Sequence, residues 1–362
     1  MRRVVLVPMA LAVSCFAVDL NSCKSCHGTI VKEYESSYHR RSFTAKDRIF
    51  SAVYAMSPEK KECLKCHVPG SKGTPGADEG ISCLGCHQIK SVEHGRLSDR
   101  NIYEKDEKRF YSAQKESRDK LIKYHEESVW FGLFTKRTGS PYHDIDYRNE
   151  IFYNAKVCMG CHSHKNAENG LEICRTDSGE MDEKSNCISC HMPKKPGSAT
   201  SIRESATHAS HSFPGYGHDS AELKKYLKLS MKREEDGFEL TISNQTPHSL
   251  ATHPMRVIEL VVNLYKNGKK EKLESVRFFK VLGKDGKPAM PWLADSVLKD
   301  NMIKANEERK IRFDKSLQGY DALEAIVGYY RVNPAVAAKL GLDKEKDISE
   351  FRILKRKYWK LK

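Results

Sequence analysis

The chain has 362 residues, of which 39% are hydrophobic, and its 62 Lys and Arg against 48 Asp and Glu leave a formal net charge of +14. This positive charge favours acidic partners or an anionic substrate. The lysines are spread along the chain without a basic patch interleaved with aromatic residues, which argues against nucleic-acid binding. Beyond the first 16 residues, no apolar run is long enough to span a membrane.

The first residues have the pattern of an exported protein. Met1-Arg2-Arg3 is a basic start, residues 4–16 form a short apolar stretch, and Cys15-Phe16-Ala17 resembles an imperfect cleavage site. We therefore predict a signal peptide over residues 1–17 and a mature protein in the periplasm with no transmembrane span. A lipoprotein acylated at Cys15 is the alternative.

Five Cys-x-x-Cys-His motifs occupy residues 23–27, 63–67, 83–87, 158–162 and 187–191. Two thiols at this spacing can form thioethers to the two vinyl groups of one porphyrin, and the adjacent His can then coordinate the iron. A zinc site or a thioredoxin-like pair also uses Cys-x-x-Cys, but neither needs His directly after it. We therefore predict five covalently attached haem c groups. The predicted haem-binding cysteines are Cys23, Cys26, Cys63, Cys66, Cys83, Cys86, Cys158, Cys161, Cys187 and Cys190, and the predicted proximal iron ligands are His27, His67, His87, His162 and His191.

Residues 18–220 contain every motif and are predicted to form a pentahaem domain that is mainly α-helical and rich in loops. Its apolar pattern is weak, as expected where porphyrins rather than side chains fill the interior. Residues 70–80 are predicted as a loop, and the highly charged residues 104–128 as one or two solvated helices. Cys174 lies outside the motifs and is interpreted as a small, partly buried side chain, with a reactive thiol as the alternative.

Residues 221–362 contain no Cys and change to a period of two, which predicts a small antiparallel β-sandwich. Apolar and polar residues alternate over 227–231 and 238–242, and longer apolar strands are predicted over 257–265 and 322–332. Three pairs, Asp236-Gly237, Asn267-Gly268 and Asp285-Gly286, have the composition of hairpin turns. The expected fold class is therefore α+β, with a mainly α multihaem domain followed by a β-sandwich domain.

Ten histidines lie outside the motifs, and five of them would suffice to give every haem a second axial imidazole. Bis-His ligation would make low-spin electron-transfer haems plausible throughout. Any one of the ten can equally be a surface or supporting residue. The candidates are His39, His94, His125, His143, His164, His208, His211, His218, His248 and His253.

Residues 23–43 (CKSCHGTIVKEYESSYHRRSF) resemble the opening of the multihaem cytochrome family typified by the tetrahaem cytochrome of ammonia-oxidising bacteria. In that family a His twelve residues after the first proximal His is a distal ligand, which implies this role for His39. Residues 63–96 resemble the paired second and third motifs of that family, which are followed by a ligand of the type Gly/Asp-His-Arg. The resemblance implies that His94 is this ligand, although Glu93 and Gly95 flank it here. The motif at 158–162 resembles the fourth, so the resemblance covers about residues 20–165.

The fifth motif departs from the tetrahaem pattern. Its Cys-His-Met-Pro continuation, followed by HSFPGYGH at residues 211–218, resembles larger multihaem cytochromes and implies His211 and His218 as ligands. His143, upstream of the fourth motif, is the next candidate. His248 ends the run NQTPH, which resembles a β-domain segment of such proteins and could cap a haem from the second domain. Met192 adjoins a proximal His and cannot readily reach the opposite face of the same ring.

These features predict a periplasmic pentahaem carrier that transfers electrons between redox partners, either proteins with acidic surfaces or a membrane quinol dehydrogenase. The alternative is a multihaem oxidoreductase acting on hydroxylamine or a small nitrogen or sulfur oxyanion at a five-coordinate haem, an arrangement that the resemblance implies. The Cys-x-x-Cys-Lys motif of many multihaem nitrite reductases is absent, which weakens the hypothesis of a nitrite reductase. A third interpretation makes the β-domain a binding module with haems as scaffold, but five haems exceed what a scaffold requires.

Overall fold

The structure is a computed structural model that describes residues 20–43, 45–58, 60–69, 80–176, 182–215 and 221–361. The predicted signal peptide, almost all of the predicted loop at 70–80, and His218 lie outside these residues. Within them, no helix is both long enough and apolar enough to cross a bilayer.

The helices are short, and most of those before residue 200 contain or adjoin a Cys-x-x-Cys-His motif. Asn186 caps the helix of the fifth motif by accepting hydrogen bonds from the Ile188 and Ser189 backbone N–H groups, while the Ser189 hydroxyl accepts one from the Asn186 N–H. This capping box fixes where the motif helix begins. The α-helices of the described residues are α1 (Leu20–Lys24), α2 (Gly28–Ser36), α3 (Arg48–Met56), α4 (Lys60–His67), α5 (Cys83–His87), α6 (Met159–His162), α7 (Cys187–His191), α8 (Ala221–Lys224), α9 (Pro334–Lys339) and α10 (Lys346–Ser349). Short 3₁₀ helices lie at Lys115–Ser117, Glu150–Phe152 and Lys156–Cys158.

Small sheets connect the motif helices. They comprise the hairpins β1 (Ile89–Glu93) with β2 (Arg100–Tyr103), β5 (His125–Val129) with β6 (Phe134–Thr138), β8 (His164–Asn166) with β9 (Glu172–Arg175), and β10 (Lys194–Pro196) with β11 (Thr207–Ala209). A three-stranded sheet has the order β3 (Arg109–Tyr111), β7 (Asp144–Asp146), β4 (Leu121–Ile122), with β3 and β7 parallel.

The prediction of a mainly α-helical multihaem domain is wrong, because only 21% of the described residues are helical and 34% lie in strands, with many small sheets. The charged residues 104–128 illustrate the reason. Apart from one 3₁₀ turn at Lys115–Ser117, they form β3, β4 and the start of the β5–β6 hairpin. That hairpin exposes Trp130 and Phe131 at its tip. Their charge indicates exposure but not helicity, since an exposed hairpin tolerates the same residues.

Residues 227–360 form three antiparallel sheets. The first has the order β12 (Leu227–Arg233), β13 (Phe238–Asn244), β20 (Glu308–Phe313). The second has the order β15 (Lys269–Lys272), β14 (Val257–Lys266), β21 (Ala322–Tyr330), β22 (Arg352–Lys360), with β16 (Val276–Phe278) also paired to β14. The third has the order β18 (Lys287–Pro288), β17 (Lys280–Lys284), β19 (Ser296–Asp300).

The first two of these sheets share one apolar core. Phe238, Leu240 and Ile242 alternate along β13, and all three are fully buried in one cluster with Leu260 and Leu323 of the other sheet. The predicted turns Asn267-Gly268 and Asp285-Gly286 join β14 to β15 and β17 to β18, with positive φ angles of 49° and 75° and of 51° and 72°. Those values are typical of type I′ turns, which match the twist of the strands.

Candidate haem sites

Backbone carbonyl groups orient four of the five motif histidines. The Nδ1 atoms of His27, His67, His87 and His191 lie 2.6–2.9 Å from carbonyl oxygens. Because a carbonyl oxygen only accepts, each Nδ1 carries the proton and donates it. This fixes the tautomer that leaves the Nε2 lone pair free for a metal, as in most metal-ligating histidines. The acceptors are the carbonyl groups of Ala199, Ser42, Tyr111 and Pro214, respectively.

Four motif histidines each face a second histidine at one nearly constant distance. The ring centres of His27 and His143 are 6.2 Å apart, those of His39 and His162 6.1 Å, those of His87 and His211 6.2 Å, and those of His191 and His248 6.3 Å. Two metal–nitrogen bonds of about 2.0 Å, plus about 1.1 Å from each nitrogen to its ring centre, place opposed imidazoles about 6.2 Å apart. The pairs therefore fit the two axial positions of one haem iron.

Burial lowers the pKa of each histidine that faces a motif, which favours the neutral form that iron binds. The Nδ1 atoms of His211 and His248 lie 2.9 and 2.8 Å from the carbonyl oxygens of Ala209 and Ser249. Carbonyl groups therefore orient these two rings in the same way as they orient the motif histidines. Burial lowers the pKa of His211 to about 4 and that of His39 to about 3. A buried imidazole that is neutral at physiological pH can offer a lone pair to a metal.

His67 has a different environment. Its ring stacks on Phe50, with ring centres 3.7 Å apart and an interplanar angle of 4°. Within the described ranges, no histidine ring faces His67 at the distance shared by the other four pairs. His218, which the sequence also predicts as a ligand, lies outside those ranges. The haem position of His67 thus has a motif ligand, and the described residues offer it no second imidazole.

Cysteines from separate motifs lie side by side. The Cys66 thiol is near enough to that of Cys161 for each to affect the pKa of the other, and the same holds for Cys158 and Cys187. The motifs at 63–67, 158–162 and 187–191 are therefore neighbours in space. Porphyrins attached to them would approach each other closely at their edges.

Among the described residues, the remaining sequence-predicted ligand, His94, pairs with His164 and not with a motif histidine. Its side chain is 83% exposed, its Nδ1 atom lies 2.9 Å from Asp99 Oδ1, and its ring centre is 5.3 Å from that of His164. His248 instead faces His191 from the loop after β13. The sequence offered it only as a residue that could cap a haem, on the resemblance of its NQTPH run to a β-domain segment.

His208 and Cys174, which lie outside the haem motifs, both have contacts that explain their burial. His208 is buried, and both of its nitrogens are engaged, Nδ1 with the Gly197 carbonyl at 2.9 Å and Nε2 with Glu33 at 3.3 Å. Glu33 also pairs with Lys195 at 3.3 Å, so these contacts give His208 a structural role. Cys174 packs against the small apolar cluster that contains Ile173 and Leu282, and burial raises the pKa of its thiol. Its surroundings fit the interpretation as a small packed side chain.

Comparison with known proteins supports a multihaem cytochrome. The family model described as "Cytochrome c554 and c-prime" matches residues 22–88. The structure is similar to that of a penta-heme cytochrome c552 from Thermochromatium tepidum, with a TM-score of 0.72, 19% sequence identity, and coverage of 95% of this chain and 99% of that chain. No curated protein sequence matches. The shared fold extends over both the motif region and the carboxyl-terminal sheets.

Proposed function

We propose that this protein is a periplasmic c-type cytochrome that binds five haems and transfers electrons between redox partners, with most of its haems bis-His ligated. The observation that carries the proposal is the set of four histidine pairs with ring centres 6.1–6.3 Å apart, each containing one motif histidine. The family match over residues 22–88 and the similarity to a penta-heme cytochrome support it. Covalent haem supplies reversible one-electron chemistry when bound.

The chain's own residues have defined roles in this proposal. His143, His39, His211 and His248 would hold the iron from the side opposite His27, His162, His87 and His191, respectively. The carbonyl groups that accept from Nδ1 hold each ring in place and increase its basicity, which favours the oxidised metal and tunes its potential. The proximity of Cys66 to Cys161 and of Cys158 to Cys187 supports a connected path through three of the sites.

The partners we propose are redox proteins with acidic surfaces, or a membrane quinol dehydrogenase. The net charge of +14 supports this, because a positive surface attracts negatively charged partners at long range. The basic and apolar pattern of residues 1–17 supports export to the periplasm, where c-type haem attachment takes place in bacteria.

A second candidate function, an oxidoreductase, is favoured by the environment of His67. A haem held there would have an open position if no residue outside the described ranges occupies it. Cationic side chains lie near this region: Lys165 interacts with the Cys66 side chain, and Arg256 with His162. Such groups can bind an anionic substrate and stabilise negative charge, as a small nitrogen or sulfur oxyanion would require.

Electron paramagnetic resonance of the oxidised protein tests both functions. Intact mass spectrometry first establishes that five haems are attached. A spectrum with only low-spin ferric haem supports the carrier and excludes an open site at His67. A high-spin signal from one haem, shifted to low spin by cyanide, supports the oxidoreductase. High-spin signals from three or more haems would contradict the proposed histidine pairs.

A further inference from the structure

Three potential metal ligands converge outside the proposed haem sites. His94 and Asp99 lie in the connection between β1 and β2, and His164 is the first residue of β8. Asp99 Oδ1 lies 2.9 Å from His94 Nδ1 and 3.7 Å from His164 Nδ1. One donor atom from each residue lies within 4.8 Å of the others. Small rotations of the exposed His94 side chain could therefore bring all three onto one ion.

The surroundings of His164 and Asp99 hold both groups in place for a cation. The Nε2 atom of His164 lies 3.0 Å from the Gly95 carbonyl oxygen, and this contact turns the Nδ1 atom towards the Asp99 carboxylate. The Gly95 N–H donates to Asp99 Oδ1 at 3.4 Å. The His164 side chain is only 4% exposed, so the carboxylate faces a site from which water is largely excluded and where a positive charge would stabilise it.

No basic side chain supplies that charge among the described residues. Asp99, whose side chain is 15% exposed, forms ion pairs there with His94 and His164 but with no Lys or Arg. The nearby Arg100 is paired with Glu93, and Arg96 donates to the Glu168 carbonyl oxygen.

We propose that His94, Asp99 and His164 bind a divalent transition-metal ion of the zinc class. Two imidazoles and one carboxylate are typical of zinc sites that keep one position open to solvent, whereas Ca²⁺ and Mg²⁺ prefer oxygen ligands only. The Gly95 carbonyl orients His164 as supporting groups orient zinc ligands elsewhere. The exposed His94 lies on the open side, where the ion enters and exchanges.

The site adjoins the haem position of His162. His164 follows that histidine by two residues, and Asn101, two residues after Asp99, donates from its amide to Cys161 Sγ at 3.4 Å. A bound divalent ion would be the largest charge in this neighbourhood. It would disfavour the oxidised haem iron and so raise the midpoint potential of that haem.

Zinc binding to the haem-loaded, untagged protein tests the proposal. After dialysis against Zn²⁺, elemental analysis should give one zinc per five haem irons above background. His164→Ala and Asp99→Asn should weaken zinc affinity by at least about tenfold, while the control His125→Ala, which removes an exposed histidine on β5, should leave it unchanged. Zinc should also raise one haem midpoint potential in the parent protein and not in Asp99→Asn.

Three results would overturn the proposal. One is the absence of zinc above background, which would leave His164 and Asp99 as a simple ion pair. Another is equal zinc affinity in the parent and both ligand variants, which would indicate adventitious binding. The third is a new high-spin haem in His94→Ala, which would make His94 a haem ligand instead. Unchanged haem content and haem absorption in each variant exclude misfolding, and none of these results depends on the function of the haems.

Discussion

Replacing His248 by Ala should remove one axial ligand from one haem and leave the others intact. His248 is the described residue that faces His191, with ring centres 6.3 Å apart, and its Nδ1 is anchored 2.8 Å from the Ser249 carbonyl oxygen. Alanine ends at Cβ, so the whole imidazole is lost and a gap of several ångströms opens opposite His191. No other described histidine ring faces His191 at this distance.

The expected intensity of the high-spin signal follows from the number of haem motifs. With five haem motifs in the chain, loss of one ligand should add high-spin ferric intensity equal to about one fifth of the haem iron. Excess imidazole should enter the gap and restore the low-spin signal. Electron paramagnetic resonance with spin quantitation measures both changes, and His125→Ala, which replaces an exposed histidine, serves as the matched control.

The reasoning fails if His248→Ala keeps five haems and shows no new high-spin signal. It also fails if imidazole does not restore the low-spin signal, because disruption of the fold rather than an open axial position would then explain the high-spin haem.

Three further changes test other parts of the structure. Gly160→Ala should displace Asn101, whose side chain a Cβ would overlap, and destabilise the protein by about 1–3 kcal/mol in urea unfolding, whereas Gly28→Ala has open space and should not. The hydrogen bonds from Arg148 hold the pKa of Asp146 below its ordinary value of 3.8. They therefore stabilise the fold above about pH 4, and this stabilisation is lost as the pH falls through the lowered pKa. The thermal unfolding temperature of Asp146→Asn should depend less on pH below about pH 4 than that of the parent protein. Phe238→Ala should cost about 3–5 kcal/mol in urea unfolding, because the side chain is fully buried; an effect below about 1 kcal/mol would contradict the shared core.

The sequence predicts the carboxyl-terminal strands well because each strand and turn is marked by the pattern of its own residues. The alternation of Phe238, Leu240 and Ile242 appears directly as the buried face of β13. Asn267-Gly268 fixes a turn by its own backbone preference. In the motif region, by contrast, few apolar side chains mark the interior, so periodicity cannot separate the small hairpins from helices.

The facing histidines could be predicted only in part, because each pairing is set by the tertiary fold. His94 and His248 both lie in loops beside strands, and nothing in their neighbouring residues distinguishes a ring that faces a motif from one that does not. The difference is that His248 is carried over the motif at 187–191 by the loop after β13, whereas the β1–β2 connection places His94 against Asp99. The carbonyl groups that orient the motif histidines are equally invisible in sequence, since every residue has one.

The histidine pairs also have a consequence for how the protein is made. His27 with His143, His39 with His162, and His87 with His211 each join positions roughly 120 residues apart, and His191 with His248 ties the motif region to the strands beyond it. Iron bonds at these positions would act as cross-links that restrict the unfolded chain, as disulfides do. Maturation would then have a required order, with thioether formation on an extended chain first and closure of the distant loops only after each porphyrin is in place.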